Sequence, residues 1–284
     1  MAEKFTVKTE EKLLEFLFAT LQGWSKKKIK ERLKGNAISV NEEHTTKHDF
    51  PLHKDDIVEV GVVQKFSRKI EIRSLDIIYQ DSDLIAISKP AGLLSVGTTK
   101  ENKQHALAIL REQLSKGKKR VQLFPVHRLD RDTSGVLLFA TSKEIREAVM
   151  AKWDKSEKIY FAIVNGALKE NKGSINQPLR LDENQYKMHV GDHPKAKHAL
   201  THYQVKEEKS KRSLLEVKIE TGRQHQIRAH LAWLGNSIIG DERYGVKGDR
   251  MGLHAHKLTI IHPKNKKALS FNIDAPKDFY ALLK

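Results

Sequence analysis

Val136–Ala140 is an unbroken apolar run of five residues, opened by Gly135 and closed by Thr141. A run this short between turn-formers reads as a buried strand. The chain must therefore build a sheet that covers it. It must do so without covalent cross-links, because it contains no cysteine. That absence also removes thiolate nucleophiles, iron–sulfur clusters and any Cys-ligated zinc, and it fits a cytoplasmic chain. With 284 residues, one or two domains with a sizeable core are expected. No apolar run approaches the ~18 residues of a membrane-spanning helix. The opening MAEKFTVKTE holds no apolar segment, so no cleaved secretory signal is expected.

The charge is lopsided: 52 Lys and Arg face 36 Asp and Glu, a formal net charge of +16. A polyanionic partner follows, and nucleic acid is the default, through counterion release from phosphates. A membrane surface is a poorer match, since no basic amphipathic helix has a strong apolar face. The charge is clustered rather than spread. Trp24–Lys34 carries six basic residues and one acid, Lys116–Arg120 reads KGKKR, and Lys187–His202 holds Lys187, Lys195, Lys197 and four histidines. Clusters point to a binding surface rather than to an even solvated coat.

The first 65 residues read as a compact helical and strand unit. Leu13, Leu14, Phe16, Leu17, Phe18 and Leu21 form a helical stripe, and Gly23 interrupts it. Ser25 is placed to cap a second helix, Lys26–Lys34, that Gly35 ends. In that helix Ile29 and Leu33 face inward, which leaves Lys26, Lys27, Lys28, Lys30 and Arg32 as a row of phosphate-seeking charges. Short strands follow at Ala37–Val40 and Ile57–Val60. A basic stretch without apolar pattern, 66–74, reads as a linker between domains at 10–65 and 75–284.

Beyond it strands outnumber helices, which suggests an α+β domain. Ile77–Tyr79 and Leu84–Ile87 flank a turn and read as a hairpin. Thr141 with Glu144 suggests a capping box, opening a helix with Ile145, Ala148, Val149 and Trp153 on one face. Ile159–Val164 and the alternating Leu215, Val217 and Ile219 read as strands, Gln226–Leu234 as a helix stopped by Gly235, and Leu258–Ile261 as a strand before a final short helix.

Chemistry concentrates at two places. Val126–Gly135 packs two acids, two arginines, a His and two hydroxyls directly before the buried strand, where a rigid scaffold can present a reactive loop. Asp132, Thr133 and Ser134 read more simply as turn caps, whereas a turn has no need of Arg128 and Asp130. The second place is Glu220–His230, which carries Arg223 and Arg228 between a strand and a helix. Its His225 and His230 lie five residues apart with no acid between them, which argues against a zinc helix. His254 and His256 alternate on a strand and read as satisfied structural groups. No phosphate-cradling glycine loop and no nucleophile elbow occurs. On the residues alone this is a basic α+β protein with a carboxylate–arginine site that binds nucleic acid.

HRLDRDTSG at 127–135 resembles the signature of the RluA family of pseudouridine synthases. SKPAGL at 88–93, Tyr160 with Ala162, and ETGRQHQIRAHL at 220–231 are similar to further family motifs. Gly240-Asp241, Tyr244-Gly245, Leu253-His254-Ala255 and His262-Pro263 follow in family order. The resemblance covers about 75–284 and implies an α+β catalytic domain on a mixed or antiparallel sheet. Residues 10–62 resemble, less sharply, the alpha-L RNA-binding motif, although Glu42-Glu43 stand where that motif usually has a Gly turn.

The resemblance implies isomerisation of uridine to pseudouridine in structured RNA, ribosomal RNA first and transfer RNA second. Such a reaction requires no cofactor and no metal, and no obligatory protein partner is evident, so a monomer is expected. Asp130 is implied as the catalytic carboxylate. Arg228 is implied as its partner, because a guanidinium beside a carboxyl favours the charged form. Tyr160 is implied to stack on the flipped uracil, Ile227 to pack near it, and Arg128 to fill the vacated space. Lys89 is expected to support the catalytic loop and is grouped, with Arg223 and the basic helix, among substrate-binding residues. A non-catalytic RNA-binding or ribosome-assembly factor on the same fold is the alternative; intact Asp130, Tyr160 and Arg228 favour the enzyme. A nucleobase deaminase is excluded, because it needs a Cys/His zinc cage.

Overall fold

A computed structural model describes residues 3–35, 37–61, 72–99, 101–115 and 121–284. The chain divides into two compact units, one of Met1–Lys69 with Val246–Asp249, the other of Ile70–Gly245 with Arg250–Lys284. Most of the linker expected at 66–74, and the whole KGKKR patch at 116–120, lie outside the described residues.

The first unit runs β1 (Glu3–Thr6), β2 (Glu11–Lys12), α1 (Leu13–Thr20), α2 (Lys26–Lys34), β3 (Ile38–Val40), β4 (Glu43–His44), β5 (Pro51–Leu52) and β6 (Ile57–Val60). Helix α2 begins where its sequence demands: the Ser25 hydroxyl accepts from the Lys28 amide at 3.2 Å. Ile29 and Leu33 are buried with Leu13, Leu17 and Val58. Strands pair in the order β1-β6-β3-β4, all antiparallel. The β3–β4 turn is made without glycine, by Asn41 and Glu42 at φ 48° and 71°. Asn41 offsets that backbone cost by donating to Asp56 at 2.8 Å and accepting the Ile57 amide at 2.9 Å.

The second unit runs β7 (Asp76–Gln80), β8 (Leu84–Lys89), α3 (Ala106–Ser115), β9 (Phe124–Pro125), β10 (Ser134–Ala140), α4 (Lys143–Met150), β11 (Glu157–Asn165), β12 (Lys172–Asn176), β13 (Leu179–Asp182), β14 (Lys187–Val190), β15 (Leu200–Lys209), β16 (Arg212–Ile219), α5 (Gln226–Trp233), β17 (Leu253–Ile261), β18 (Ala268–Asn272) and α6 (Lys277–Tyr280). A ten-stranded sheet follows the order β12-β15-β16-β11-β17-β10-β8-β7, with β18 on β17 and β9 on β10. The β10–β17 pair is parallel and its neighbours in the sheet are antiparallel, so the α+β unit is built on a mixed sheet.

Every residue of β10 is buried, as an unbroken apolar run requires. Gly135 marks where it leaves the charged loop. Its φ is +118°, and a Cβ there would stand 2.2 Å from the Ala255 carbonyl oxygen. No other residue lets β10 approach β17 this closely.

The Thr141–Glu144 capping box does not form. Helix α4 starts one residue later, with Ser142 as its cap, accepting from the Ile145 amide at 3.3 Å. The Thr141 hydroxyl instead donates to the Ser82 carbonyl at 2.9 Å, tying the strand end to the β7–β8 turn. Trp153 lies beyond α4, in a short 3-10 turn at Trp153–Lys155. The hairpin of β13 and β14 carries no clear sequence signal, and neither does the strand pairing at β1, β2, β4 and β5.

Candidate active site

The loop 127–133 is anchored before it is reactive. His127 accepts the Leu138 amide at 3.3 Å and lies against Trp153, ring centroids 5.5 Å apart. Burial pushes its pKa down to about 4. Leu129 turns into the core. The Ser95 hydroxyl clamps that residue's backbone on both sides, donating to its carbonyl at 2.7 Å and accepting its amide at 3.0 Å. Lys89, 0% exposed, donates to the carbonyls of Arg131, Pro90 and Leu93 at 2.9, 2.9 and 2.7 Å. Burial pushes its pKa down to about 7, against the charges of Asp132 and Asp130.

With its neighbours pinned, Asp130 stands out of the loop with its side chain 30% exposed. Arg228, on the buried face of α5, donates to Asp130 Oδ2 from Nη1 at 2.7 Å. The rest of its guanidinium is held by Asp241, through Nε to Oδ2 at 2.7 Å and Nη2 to Oδ1 at 2.8 Å. Burial disfavours the cation, but the hydrogen bonds and charges of Asp241 and Asp130 outweigh it and hold the Arg228 pKa above its ordinary value. Asp241 Oδ1 also accepts the amides of Arg243 and Tyr244. The Tyr244 ring lies 5.2 Å from the Arg228 guanidinium. His225, at the start of α5, brings Nε2 to 3.7 Å from Asp130 Oδ2.

Tyr160 projects from β11 where two apolar clusters meet and packs against both. Burial and the nearby Asp130 charge raise its pKa, so the phenol is neutral. A carboxylate paired with an arginine, beside an aromatic ring on a rigid strand, can hold a planar base while offering a fixed anion.

The remaining expected site residues distribute differently. Arg128 is exposed two positions before Asp130. Arg223 is exposed too, and its Nε donates to the His198 carbonyl at 2.9 Å rather than joining the carboxylate. Ile227 is buried in the core cluster of Leu215, Val217 and Leu231. Grouping Lys89 with RNA contacts is corrected: its ammonium spends its donors on three backbone carbonyls inside the protein. In the other unit Lys26, Lys27, Lys28 and Lys30 are exposed. Lys28 lies over the Trp24 ring at 3.6 Å. Arg32 also stacks on Trp24, at 4.9 Å, and donates to the Gly61 carbonyl, so it is partly engaged within its own unit.

Sequence reasoning does not single out Ser95, His225, Asp241 and Tyr244 as site residues. The signal available is that His225 falls within the 220–231 motif and that Asp241 and Tyr244 fall in motif order. Among the described residues one cluster has metal-like composition: Asp81, Asp83 and His262. Its oxygens are already engaged, Asp81 by Tyr79, His262 and the amides of Asp83 and Leu84, and Asp83 by Lys264 at 2.6 Å.

This loop, strand and helix belong to an enzyme class that works on the bases of RNA. Residues 83–233 match the family model of RNA pseudouridylate synthase, and the chain belongs to that family. An uncharacterized RNA pseudouridine synthase of Mycoplasma genitalium, MG209, is 31% identical, with 100% of this chain and 95% of that protein covered. The dual-specificity RNA pseudouridine synthase RluA of Vibrio cholerae is 36% identical, over 72% of this chain and 84% of that one. The solved human RNA pseudouridylate synthase domain containing 4 shares the fold, with TM-score 0.60 and 24% identity over 72% of this chain and 90% of that chain. The protein is an isomerase that makes pseudouridine in RNA. Among the described residues, no helix is long and apolar enough to cross a membrane.

Proposed function

We propose that Asp130 is the catalytic carboxylate of this isomerase and that its substrate is structured RNA, ribosomal RNA first and transfer RNA second. The observation that carries the role of Asp130 is the 2.7 Å bond from Arg228 to Asp130 in a loop pinned from beneath; the net charge of +16 is what supports a structured RNA. In the reaction the N1–C1′ bond breaks, the uracil turns, and a C5–C1′ bond forms. The proton leaves C5 and N1 gains one, so nothing is oxidised. Asp130 supplies the fixed anion, Arg228 balances and orients it, and Tyr160 stacks on the uracil. The target leaves its helical stack at a cost of a few kcal/mol, and Arg128, which is exposed, fills the gap. The basic face of α2 grips the phosphates of the same RNA. Asp130, Arg228, Asp241 and Tyr160 form the site within a single chain, and the reading is of a monomer acting in the cytoplasm.

Asp130→Asn tests the reading. It should bind RNA as the wild type does and form no pseudouridine, measured by hydrogen release from C5 of labelled uridine. Turnover within a few-fold of wild type would remove Asp130 from the mechanism. Mapping pseudouridines in RNA from cells with and without the protein identifies the target; loss of a ribosomal site supports the first choice, and loss of a transfer RNA site replaces it with the second.

A further inference from the structure

His225 is held in an unusual way. Its backbone is left-handed, with φ 50°, a region that His enters more readily than most side chains. It sits at the N-cap of α5, yet its side chain makes no capping bond. The imidazole is turned instead between two groups: Nδ1 is 3.1 Å from the Tyr244 hydroxyl and Nε2 is 3.7 Å from Asp130 Oδ2. It is this placement of the ring between a hydroxyl and the site carboxylate that points to function.

The contacts around Tyr244 point to where the imidazole proton lies. The Met188 amide donates to the Tyr244 hydroxyl oxygen at 2.7 Å. The phenol stays protonated, because burial raises its pKa to about 12. Its own hydrogen is then free to donate to His225 Nδ1. With Nδ1 accepting, neutral His225 bears its hydrogen on Nε2, and Asp130 Oδ2 at 3.7 Å from that nitrogen favours the same tautomer, since a carboxylate faces an N–H better than a lone pair. Burial pushes the His225 pKa down; the Asp130 charge opposes this, Arg228 and Arg243 add to the fall, and Asp241 resists it. The ring is therefore neutral at pH 7. The relay runs from the Met188 amide on β14, through Tyr244 and His225, to the carboxylate.

We propose that His225 is a positioning residue for Asp130: Tyr244 locks its Nε2–H tautomer, and that N–H is poised as a second donor to the carboxylate oxygen that Arg228 already holds. At 3.7 Å the bond is open in the resting site. Catalytic hydrogen bonds are commonly long without substrate and tighten when the reacting complex forms. Both donors address Oδ2, so among the described residues the arrangement leaves Oδ1 to meet the substrate. This rests on Asp130 being the catalytic carboxylate.

The test has an arm that is independent of activity. In protein labelled with nitrogen-15 histidine, at pH 7, His225 should show an unprotonated Nδ1 and a protonated Nε2, and Tyr244→Phe should mix the tautomers. Single-turnover kinetics supply the second arm. His225→Gly suits the left-handed backbone, so it removes the ring without adding strain. It should leave RNA affinity within about twofold and lower the rate constant about ten- to a hundredfold, the scale of a misplaced reacting group. His225→Gln, which extends an amide N–H toward Asp130, should restore most of that loss. A proton on Nδ1 in the wild type overturns the proposal. So does a wild-type rate in His225→Gly, or a His225→Gln no faster than His225→Gly. If His225→Gly fails to fold, the tautomer of the wild type decides. Failure of Asp130→Asn to abolish chemistry would sink the underlying reading while leaving the tautomer result intact.

Discussion

Asp241 grips Arg228 through two hydrogen bonds, at 2.7 and 2.8 Å, and so dictates which guanidinium nitrogen remains for Asp130. Arginine is suited to this because its donors form a rigid planar fork. Asp241 is 1% exposed, so neither charge is water-compensated on that side. Asp241→Asn should therefore do two things. Breaking a buried pair typically costs about 3–5 kcal/mol, and the melting temperature should fall accordingly. Arg228 should also lose its fixed orientation, lowering the single-turnover rate even at temperatures where the variant is folded. A melting curve together with a rate on saturating RNA checks both, and an unchanged rate in folded protein would show that Asp241 acts on stability alone.

Parts of this arrangement are legible in the sequence and parts are not, for identifiable reasons. The Asp130 loop stands out because charge is dense against an apolar run. Helix α2 is readable to the residue because Ser25 and Gly35 bound it locally. Asp241 is invisible as a partner, since it lies 13 residues beyond Arg228 across a turn that no periodicity links. That turn needs Gly240, φ +75°, where a Cβ would stand 2.0 Å from the Arg250 carbonyl oxygen. Ser95 looks like any loop serine until the fold brings Leu129 onto it. The capping box fails for a related reason: Thr141 and Ser142 can each cap a helix, and only the distant Ser82 carbonyl decides that Thr141 is used elsewhere.

Lys89 carries a prediction about the loop rather than the reaction. Lys89→Met fills most of the space but strands the carbonyls of Arg131, Pro90 and Leu93. A buried group left without a partner costs about 1–3 kcal/mol; the Leu93 carbonyl is buried, whereas those of Pro90 and Arg131 are part-buried and recover some of that from solvent. A loss of roughly 3 kcal/mol is expected in denaturant unfolding. The amide of Thr133, which donates to the Asp130 carbonyl at 3.2 Å, should exchange its hydrogen faster. Unfolding at the wild-type denaturant concentration would show that the three bonds contribute little.

His254 predicts acid sensitivity. It is 1% exposed, with Nε2 on the Ile273 carbonyl at 3.1 Å and Nδ1 at 2.9 Å from the Ser134 hydroxyl. Nε2 donates to that carbonyl, so Nδ1 accepts from Ser134, and no lone pair is left open to a proton. Burial brings its pKa to about 4, and His127 is lowered to about 4 as well. The unfolded chain, with histidine near 6.5, then binds protons that the folded chain refuses. Stability is full above about pH 6.5 and falls as the pH drops toward 4, by an upper limit on the order of 3 kcal/mol for each histidine. Urea unfolding across that range, with the His254 ring followed by NMR, measures it. A His254 ring that titrates near pH 6.5 would refute the assignment.

The last prediction separates grip from chemistry. Lys26, Lys27, Lys30 and Lys34 share one exposed side of α2 with Glu31, whereas Arg32 is stacked on Trp24 and bonded to Gly61. Replacing the four lysines with glutamine should weaken binding to long structured RNA. If each meets one phosphate, the plot of log affinity against log salt becomes shallower by about 3, at ~0.7 to 0.9 for each phosphate no longer neutralised. Arg32→Gln should change that slope little and instead lower the melting temperature, because it removes a stacked and hydrogen-bonded group. Neither change touches Asp130, Arg228 or Tyr160, so single-turnover chemistry on a short substrate at saturation should persist in both. An unaltered salt slope in the quadruple variant would show that α2 does not meet RNA. Loss of chemistry on the saturating short substrate, in folded protein, would show that α2 takes part in the reaction and not only in holding the substrate.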